Sequence, residues 1–309
     1  MAGINSIPAE MWLLPRWLPF HPGKLWCHAR MVYLPMCYVY SKRFTPDVAN
    51  DPTLLALREE LYCGEKYDEI NWDAFRQTCA PIDEYSPLNP VMKIAQDICS
   101  YYEFWQTKIP FLQYLRKEAL KFVIDYIHAE DAQTNYICIG PVNKSLNMLS
   151  VWIDAGRDVN DERFKKHLPR IDDYLWVAED GMKMQGYNGS QCWDTSFAVQ
   201  AIVEGDLQHA FPECAQKIYS YLDRTQIATN EDNRDYWFRH VSKGGWPFST
   251  AAHGWPISDC TSEGLKAVLS LHKAETKASV IPVESRISKE RLQDACDILL
   301  SYHNKDGGW

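Results

Sequence analysis

Apolar residues recur along this chain at the three- and four-residue spacing of an amphipathic α-helix. The pattern is clearest in residues 91–105, where Lys93, Asp97 and Glu103 lie off the apolar face, and it returns in residues 265–272. Alternating apolar and polar residues, the mark of a half-buried strand, do not extend over any length. The sequence therefore predicts an all-α fold.

A weak internal repeat limits the fold further. Residues 244–246 read Gly-Gly-Trp, and residues 306–309 read Asp-Gly-Gly-Trp after a helical pattern at 292–302. Helix–turn units that repeat in this way stack on their neighbours, so they predict an α/α barrel, or toroid. A change of composition near Asp180 predicts a domain boundary there, between residues 1–179 and residues 180–309.

Composition excludes several classes of function. The net charge is -9 and no basic cluster is present, which argues against a nucleic-acid partner. The 10 cysteines are scattered without CxxC pairs or zinc-ligand spacing, so we expect reduced thiols in a cytosol-facing protein and no metal site. The longest apolar run, residues 31–40, contains Pro35 and is too short to span a bilayer.

One stretch, residues 253–264, concentrates the side chains suited to acid chemistry. Pro256 stops the preceding element, and Ser258 and Asp259 are residues that start helices. A helix dipole stabilises the ionised form of Asp259 and makes it a stronger acid, and Cys260 could donate a weak hydrogen bond to it. Such an acid among aromatic side chains suits protonation of an alkene or an epoxide. The alternative is that Asp259 is an ordinary cap and Glu263 a solvated first-turn charge.

Four strings resemble the oxidosqualene cyclases. Residues 259–263 read Asp-Cys-Thr-Ser-Glu, where the family has Asp-Cys-Thr-Ala-Glu, and residues 26–30 resemble the family's Trp-Cys-His-Cys-Arg, with Ala29 in place of the second Cys. Residues 180–195 and 243–250 resemble two further family segments. The resemblance runs from about Pro8 to Trp309.

This resemblance implies a terpenoid cyclase fold and a substrate, (3S)-2,3-oxidosqualene. Asp259 would protonate the epoxide, Cys260 would lie beside it, and Glu263 would help to reprotonate it. Neither a metal nor an organic cofactor is implied. His28 would take part in removing the final proton, although a lone histidine in an apolar segment is more often a core residue. The cavity residues implied by the resemblance are Trp26, Tyr33, Tyr187, Trp193, Phe248, His253 and Ile257.

Three of these residues bear on the product. Tyr187, His253 and Ile257 resemble the pattern of the family members that form cycloartenol, whereas those that form lanosterol carry smaller or different residues there. Loss of a proton from the angular methyl closes the cyclopropane of cycloartenol, and a base network of His28, Tyr187 and His253 would be held toward that methyl. Branched Ile257 is stiff at its first side-chain torsion and would restrain the intermediate.

Three other classes of protein were weighed. A glycoside hydrolase could use Asp259 and Glu263 as paired carboxylates, but four residues apart on one helix they fit the two faces of a sugar poorly. A non-catalytic helical-repeat protein would need neither acid. A magnesium-dependent terpene synthase is disfavoured because Trp176 stands where the third acid of its DDxxD motif should follow Asp172 and Asp173.

The resemblance also implies where the chain works. The segment 1–179 would be the later portion of the smaller barrel, with the substrate channel and a membrane-facing helix from Pro90 onward. The segment 180–309 would be the first, truncated portion of the catalytic barrel, so we expect the 309 residues alone to be inactive. Monotopic association with the endoplasmic reticulum membrane or a lipid droplet is the expected location.

Overall fold

The structure is a computed structural model of the 309-residue chain, and it describes residues 3–87, 89–273 and 280–309. Helices make up 59% of it, which confirms the predicted helical fold class. In chain order, the α-helices of the described residues are α1 (Cys27–Lys42), α2 (Pro52–Leu61), α3 (Pro90–Gln106), α4 (Pro110–Gln133), α5 (Pro141–Asp154), α6 (Glu162–His167), α7 (Gln191–Glu204), α8 (Pro212–Thr225), α9 (Ser258–Lys273) and α10 (Lys289–Ser301).

Local sequence signals set several helix starts. The side chains of Asp51, Asn89, Asp161 and Ser288 each accept a hydrogen bond from a backbone N–H of the first turn that follows. Proline occupies an early position of α2, α3, α5 and α8, where its missing N–H costs nothing. These caps explain why helix starts were predictable from the residues alone.

One hairpin departs from the expected absence of strands. Strands β1 (Leu175–Ala178) and β2 (Gly181–Met184) pair antiparallel, with Leu175 opposite Met184. Each strand has only four residues, which is too short for an alternating pattern to stand out in the sequence.

The chain forms two compact units, Met1–Asp125 and Tyr126–Trp309. In the first unit, Met31, Leu34 and Tyr38 bury one side of α1. The guanidinium of Arg116 is also buried there, 2.6 Å from a carboxylate oxygen of Glu10 and paired with Glu103 as well. Two carboxylate partners offset the free-energy cost of removing the guanidinium charge from water.

In the second unit, helices α7 to α10 surround an apolar core. Trp246 is fully buried at its centre and donates its indole Nε1–H to the carbonyl of Leu222 over 2.9 Å. Val268 and Leu271 of α9 pack in the same core. The division at residue 125 separates compact units, whereas the boundary expected near Asp180 separates two barrels. The boundary near Asp180 stays a prediction.

Among the helices of the described residues, none combines the length and the apolar content needed to cross a membrane.

Candidate functional site

Helix α9 begins at Ser258 and carries Asp259 in its first turn, which confirms the predicted helix start. The Asp259 side chain is exposed, and its Oδ1 accepts a hydrogen bond of 2.9 Å from the Ser258 hydroxyl. A carboxylate in this position is stabilised by the unpaired N–H groups and the dipole of the helix. The structure therefore presents an accessible carboxyl group in the first turn of α9.

The neighbouring thiol points elsewhere. Cys260 is 1% exposed and lies in the core of the second unit, where burial raises the pKa of its thiol well above the ordinary value. Among the described residues, no hydrogen bond joins Cys260 to Asp259, so that expectation is wrong. Successive residues of a helix differ by about 100° in direction, and this turns Cys260 inward when Asp259 faces outward.

The second carboxylate of the stretch is bound to another helix. Glu263 Oε2 accepts a hydrogen bond of 2.6 Å from Gln200 Nε2 on α7 and lies 3.7 Å from Lys266 Nζ. This hydrogen bond links α9 to α7, so Glu263 contributes to the packing of the two helices. The role in reprotonating Asp259 stays a prediction.

Three of the predicted aromatic residues lie together. The ring centroid of Phe248 is 5.9 Å from that of Tyr187 and 6.2 Å from that of Trp193. The backbone holds this arrangement, because Trp193 N donates to Phe248 O over 3.2 Å and Cys192 N donates to Ser249 O over 3.0 Å. The result is an aromatic group at the start of α7, half-buried at Trp193 and Phe248 and open at Tyr187, which is 56% exposed.

The segment that leads into α9 is fixed by the Gly-Gly-Trp-Pro string. Pro247 and Pro256 form an isolated antiparallel bridge, and Ile257 N donates to Trp246 O over 3.1 Å. Trp246 N in turn donates to the hydroxyl of Thr261, in the first turns of α9, over 3.0 Å. The strings at 243–250 and 253–264 are thus joined by hydrogen bonds into one unit. His253, at the start of the second string, is buried.

The remaining predicted residues belong to the first unit. His28 lies in the first turn of α1, with its ring centroid 4.8 Å from that of Trp26 and its Nδ1 3.5 Å from the Cys27 thiol. Burial lowers the pKa of His28 from its ordinary value of 6.5, so the neutral imidazole predominates near pH 7. Trp26 and Tyr33 are exposed. The grouping of His28 with Tyr187 and His253 stays a prediction.

A fully buried polar network was missed by the sequence analysis. The Asp131 carboxylate accepts hydrogen bonds from Asn147 Nδ2 over 2.9 Å and from Cys138 Sγ over 3.4 Å, and its other oxygen lies 3.2 Å from His167 Nε2. Lys144 Nζ lies 3.0 Å from the second ring nitrogen of the same histidine. Lys144 and His167 are 23 positions apart, and no local pattern in the sequence indicates that they pair.

Asp131, Cys138 and His167 have the residue types and closeness of a metal site. The lysine argues against that use, because an ammonium donating to Nδ1 places the imidazole proton on Nε2, the atom that would have to bind the metal. Burial also raises the pKa of Cys138 and opposes the thiolate that a metal requires. The donor set fits a satisfied hydrogen-bond network better than a metal centre.

Comparison with known proteins identifies the family. Residues 1–180 match the model of the squalene-hopene cyclase N-terminal domain. The chain is 44% identical over 310 residues to a cycloartenol synthase of Dictyostelium discoideum and 42% identical over 309 residues to a lanosterol synthase of Mus musculus. It is 39% identical over 311 residues to an alpha-onocerin synthase of Lycopodium clavatum.

These alignments cover 99%, 99% and 100% of this chain but 41%, 40% and 39% of the three relatives. The chain thus spans about two fifths of the length of the curated relatives it matches. The matched domain and these identities agree with the motifs at Asp259 and His28, and the chain belongs to the oxidosqualene cyclase family.

Proposed function

We propose that this chain carries the proton donor of an enzyme that converts (3S)-2,3-oxidosqualene to cycloartenol. The observation that carries the proposal is Asp259, an accessible carboxyl group in the first turn of α9, in a segment braced by Trp246. Family membership sets aside the glycoside hydrolase alternative. A non-catalytic helical protein remains the outcome to be excluded by assay.

In the first step, protonated Asp259 would give its proton to the epoxide oxygen, and a carbon–oxygen bond of the epoxide would break. The Ser258 hydroxyl donates a hydrogen bond to the carboxylate that is left behind. The cation on carbon is then attacked by the neighbouring alkene, and each ring closure passes the charge onward. The oxygen keeps the proton as a hydroxyl group.

The intermediate cations need stabilisation without a nucleophile that would trap them. Aromatic faces serve this purpose, because the ring quadrupole attracts positive charge without forming a bond. Trp193 and Phe248 are the residues proposed for this role in the second unit, and Trp26 in the first. The rings of Trp193 and Phe248 lie 6.2 Å apart between centroids, which suits a continuous aromatic surface.

The last step returns a proton to the protein, so the overall reaction is an isomerisation. A neutral imidazole is required to accept that proton, and the lowered pKa of His28 supplies it. Tyr187 and His253 are proposed to orient the acceptor toward the angular methyl. No metal ion or organic cofactor takes part in this scheme.

The product rests on Tyr187, His253 and Ile257, since 44% and 42% identity to enzymes with different products do not choose between them. We expect the complete protein that contains these 309 residues to form cycloartenol in yeast lacking its own cyclase, as measured by mass spectrometry of the sterols. A Tyr187→Thr, Ile257→Val double variant should shift product toward lanosterol. Lanosterol or β-amyrin as the main product of the unchanged protein would contradict the assignment.

A matched control is available for the double variant. Tyr236 is exposed and Ile218 is partly buried against the same core that Ile257 contacts, so Tyr236→Thr with Ile218→Val removes similar groups elsewhere. We expect the control to keep the cycloartenol profile. An identical shift in both double variants, or no shift in either, would refute the specificity proposed for Tyr187 and Ile257.

The same enzyme is proposed to lie on the endoplasmic reticulum membrane or on lipid droplets without crossing the bilayer. Helix α3 supports this, because four of its apolar side chains are each at least 60% exposed: Val91, Ile94, Ile98 and Tyr101. Exposure of so many apolar groups to water is unfavourable, whereas a lipid surface would cover them. Ile94→Asp with Ile98→Asp should release the protein from floated phosphatidylcholine vesicles. Val142→Asp with Val159→Asp, which alters exposed valines elsewhere, should not; equal flotation of both variants would contradict the proposal.

A further inference from the structure

A buried charged cluster braces the loop between His253 and the start of α9. Its centre is Arg239, which is 3% exposed and stands outside every motif that the sequence analysis singled out. Its partners among charged residues are Glu130, from the last turns of α4, and Glu231. Such a cluster is costly to build inside a protein, so its contacts indicate what it holds in place.

Arg239 binds the loop in two ways. Its Nη2 donates to the carbonyl oxygen of Gly254 over 2.7 Å, while the guanidinium carbon lies 3.6 Å from the ring centroid of Trp255. The same Nη2 lies 2.6 Å from Glu231 Oε1, which fixes the direction of the guanidinium plane. The Arg239 side chain therefore contacts two consecutive residues of the loop: it hydrogen-bonds the backbone of Gly254 and stacks on the ring of Trp255.

Glu130 binds the N–H edge of the same indole. Its Oε1 accepts the Trp255 Nε1–H over 2.9 Å, and its Oε2 lies 3.8 Å from Arg239 Nη1. Trp255 is thus held by face and by edge. The residue just before this loop is held as well, because Asn135 Nδ2, just after α4, donates to Ala252 O over 3.0 Å.

We propose that Arg239 is a positioning residue for the loop that leads into α9, acting through Gly254 and Trp255 on His253, Ile257 and the first turn of α9. This inference rests on the proposed function of that loop. Trp255 is two residues from Ile257 and four from Asp259, so we expect a displaced indole to shift the backbone that carries both. Displacement of a reacting group by about 1 Å can lower a rate on the order of a hundredfold.

Arg239→Lys is the informative variant, since it keeps the charge but cannot stack on Trp255 while bonding both Gly254 and Glu231. In the complete protein with oxidosqualene, we expect kcat to fall about tenfold, with KM within about twofold, because the acid is misplaced while most of the binding surface is kept. We also expect a larger share of by-products from early or misplaced deprotonation. The product ratio reports each turnover and does not depend on how much protein is folded.

Arg291 provides the matched control. It pairs with Asp223 and donates from Nη2 to the Asp223 carbonyl over 2.7 Å, in the same unit but on α10. Arg291→Lys should leave the product ratio unchanged. A wild-type kcat and product ratio in Arg239→Lys, or an equal shift of the ratio in Arg291→Lys, would overturn the positioning role.

The outcomes separate this inference from the proposed function. If the unchanged protein forms no cyclised product, or if Asp259→Asn retains turnover, the proposed function fails and Arg239 positions no acid. If Arg239→Lys proves unfolded by circular dichroism, Trp255→Phe replaces it, because phenylalanine keeps a ring for Arg239 but loses the hydrogen bond to Glu130. An unchanged product ratio in folded Trp255→Phe would then overturn the inference.

Discussion

Replacement of Gly254 by alanine tests how closely the loop that leads into α9 is packed against the end of α4. Gly254 has φ +69°, a left-handed conformation that alanine adopts at a cost of about 1–2 kcal/mol, partly offset by the lower entropy of the unfolded alanine chain. A Cβ at this position would also lie well inside 3.0 Å of the Gln133 carbonyl oxygen, a distance that real Cβ atoms essentially never show. Backbone or loop must therefore move.

Gly156 isolates the two contributions, because it has the same φ of +69° but nothing within 4 Å of an added Cβ. We expect Gly156→Ala to lower the free energy of unfolding by about 1 kcal/mol or less. Gly254→Ala should cost a further 1–3 kcal/mol or so, the usual range for overpacking a well-filled site. The total for Gly254→Ala is then about 1–4 kcal/mol.

Urea unfolding of the two purified variants, followed by circular dichroism, measures this difference directly. The midpoint should fall clearly more in Gly254→Ala than in Gly156→Ala, with a similar slope in both. Equal losses of stability would refute the close approach of the loop to α4, and with it part of the argument for a rigidly held acid.

Two further predictions concern titratable groups. Because burial lowers the pKa of His28 below 6.5, the unfolded chain binds a proton at this site more readily than the folded chain does. The free energy of unfolding should therefore fall as the pH drops below about 6.5. In urea titrations at successive pH values, His28→Gln should make that fall shallower. A fall of the same steepness in both proteins would contradict this. Iodoacetamide at about pH 8, near the ordinary thiol pKa, should label the exposed Cys214 and Cys296 of the folded protein but spare the buried Cys192 and Cys260 until urea is added; rapid labelling of Cys260 would contradict its inward orientation.

The parts of the fold that were predictable are the parts encoded locally. Helix α9 was expected to begin near Ser258 because a proline, a cap residue and an apolar period follow one another within a few residues. The same period also contained a signal that was overlooked. Cys260 falls on one stripe with Ala267 and Val268, so its burial, and its separation from Asp259, could have been predicted.

What could not be predicted depends on residues far apart in the chain. The bond between Trp255 and Glu130 joins residues 125 positions apart, and the contact of His167 with Asp131 joins residues 36 positions apart. Propensity and spacing describe a local window, whereas these partners are selected by how the helices pack. An arginine such as Arg239, whose sequence neighbours are charged and aromatic, reads as an ordinary surface residue until its burial is known.

The central claim is that the Asp259 carboxyl group starts the reaction, and a pair of aspartates tests it most directly. Asp194 occupies the first turn of α7 and accepts a hydrogen bond of 2.6 Å from Ser190, much as Asp259 accepts one from Ser258 in the first turn of α9. Turnover of oxidosqualene by the complete protein should be abolished in Asp259→Asn, because an amide cannot deliver the proton, and retained in Asp194→Asn. Measurable cyclised product from pure Asp259→Asn, or equal loss in both variants, would contradict the account.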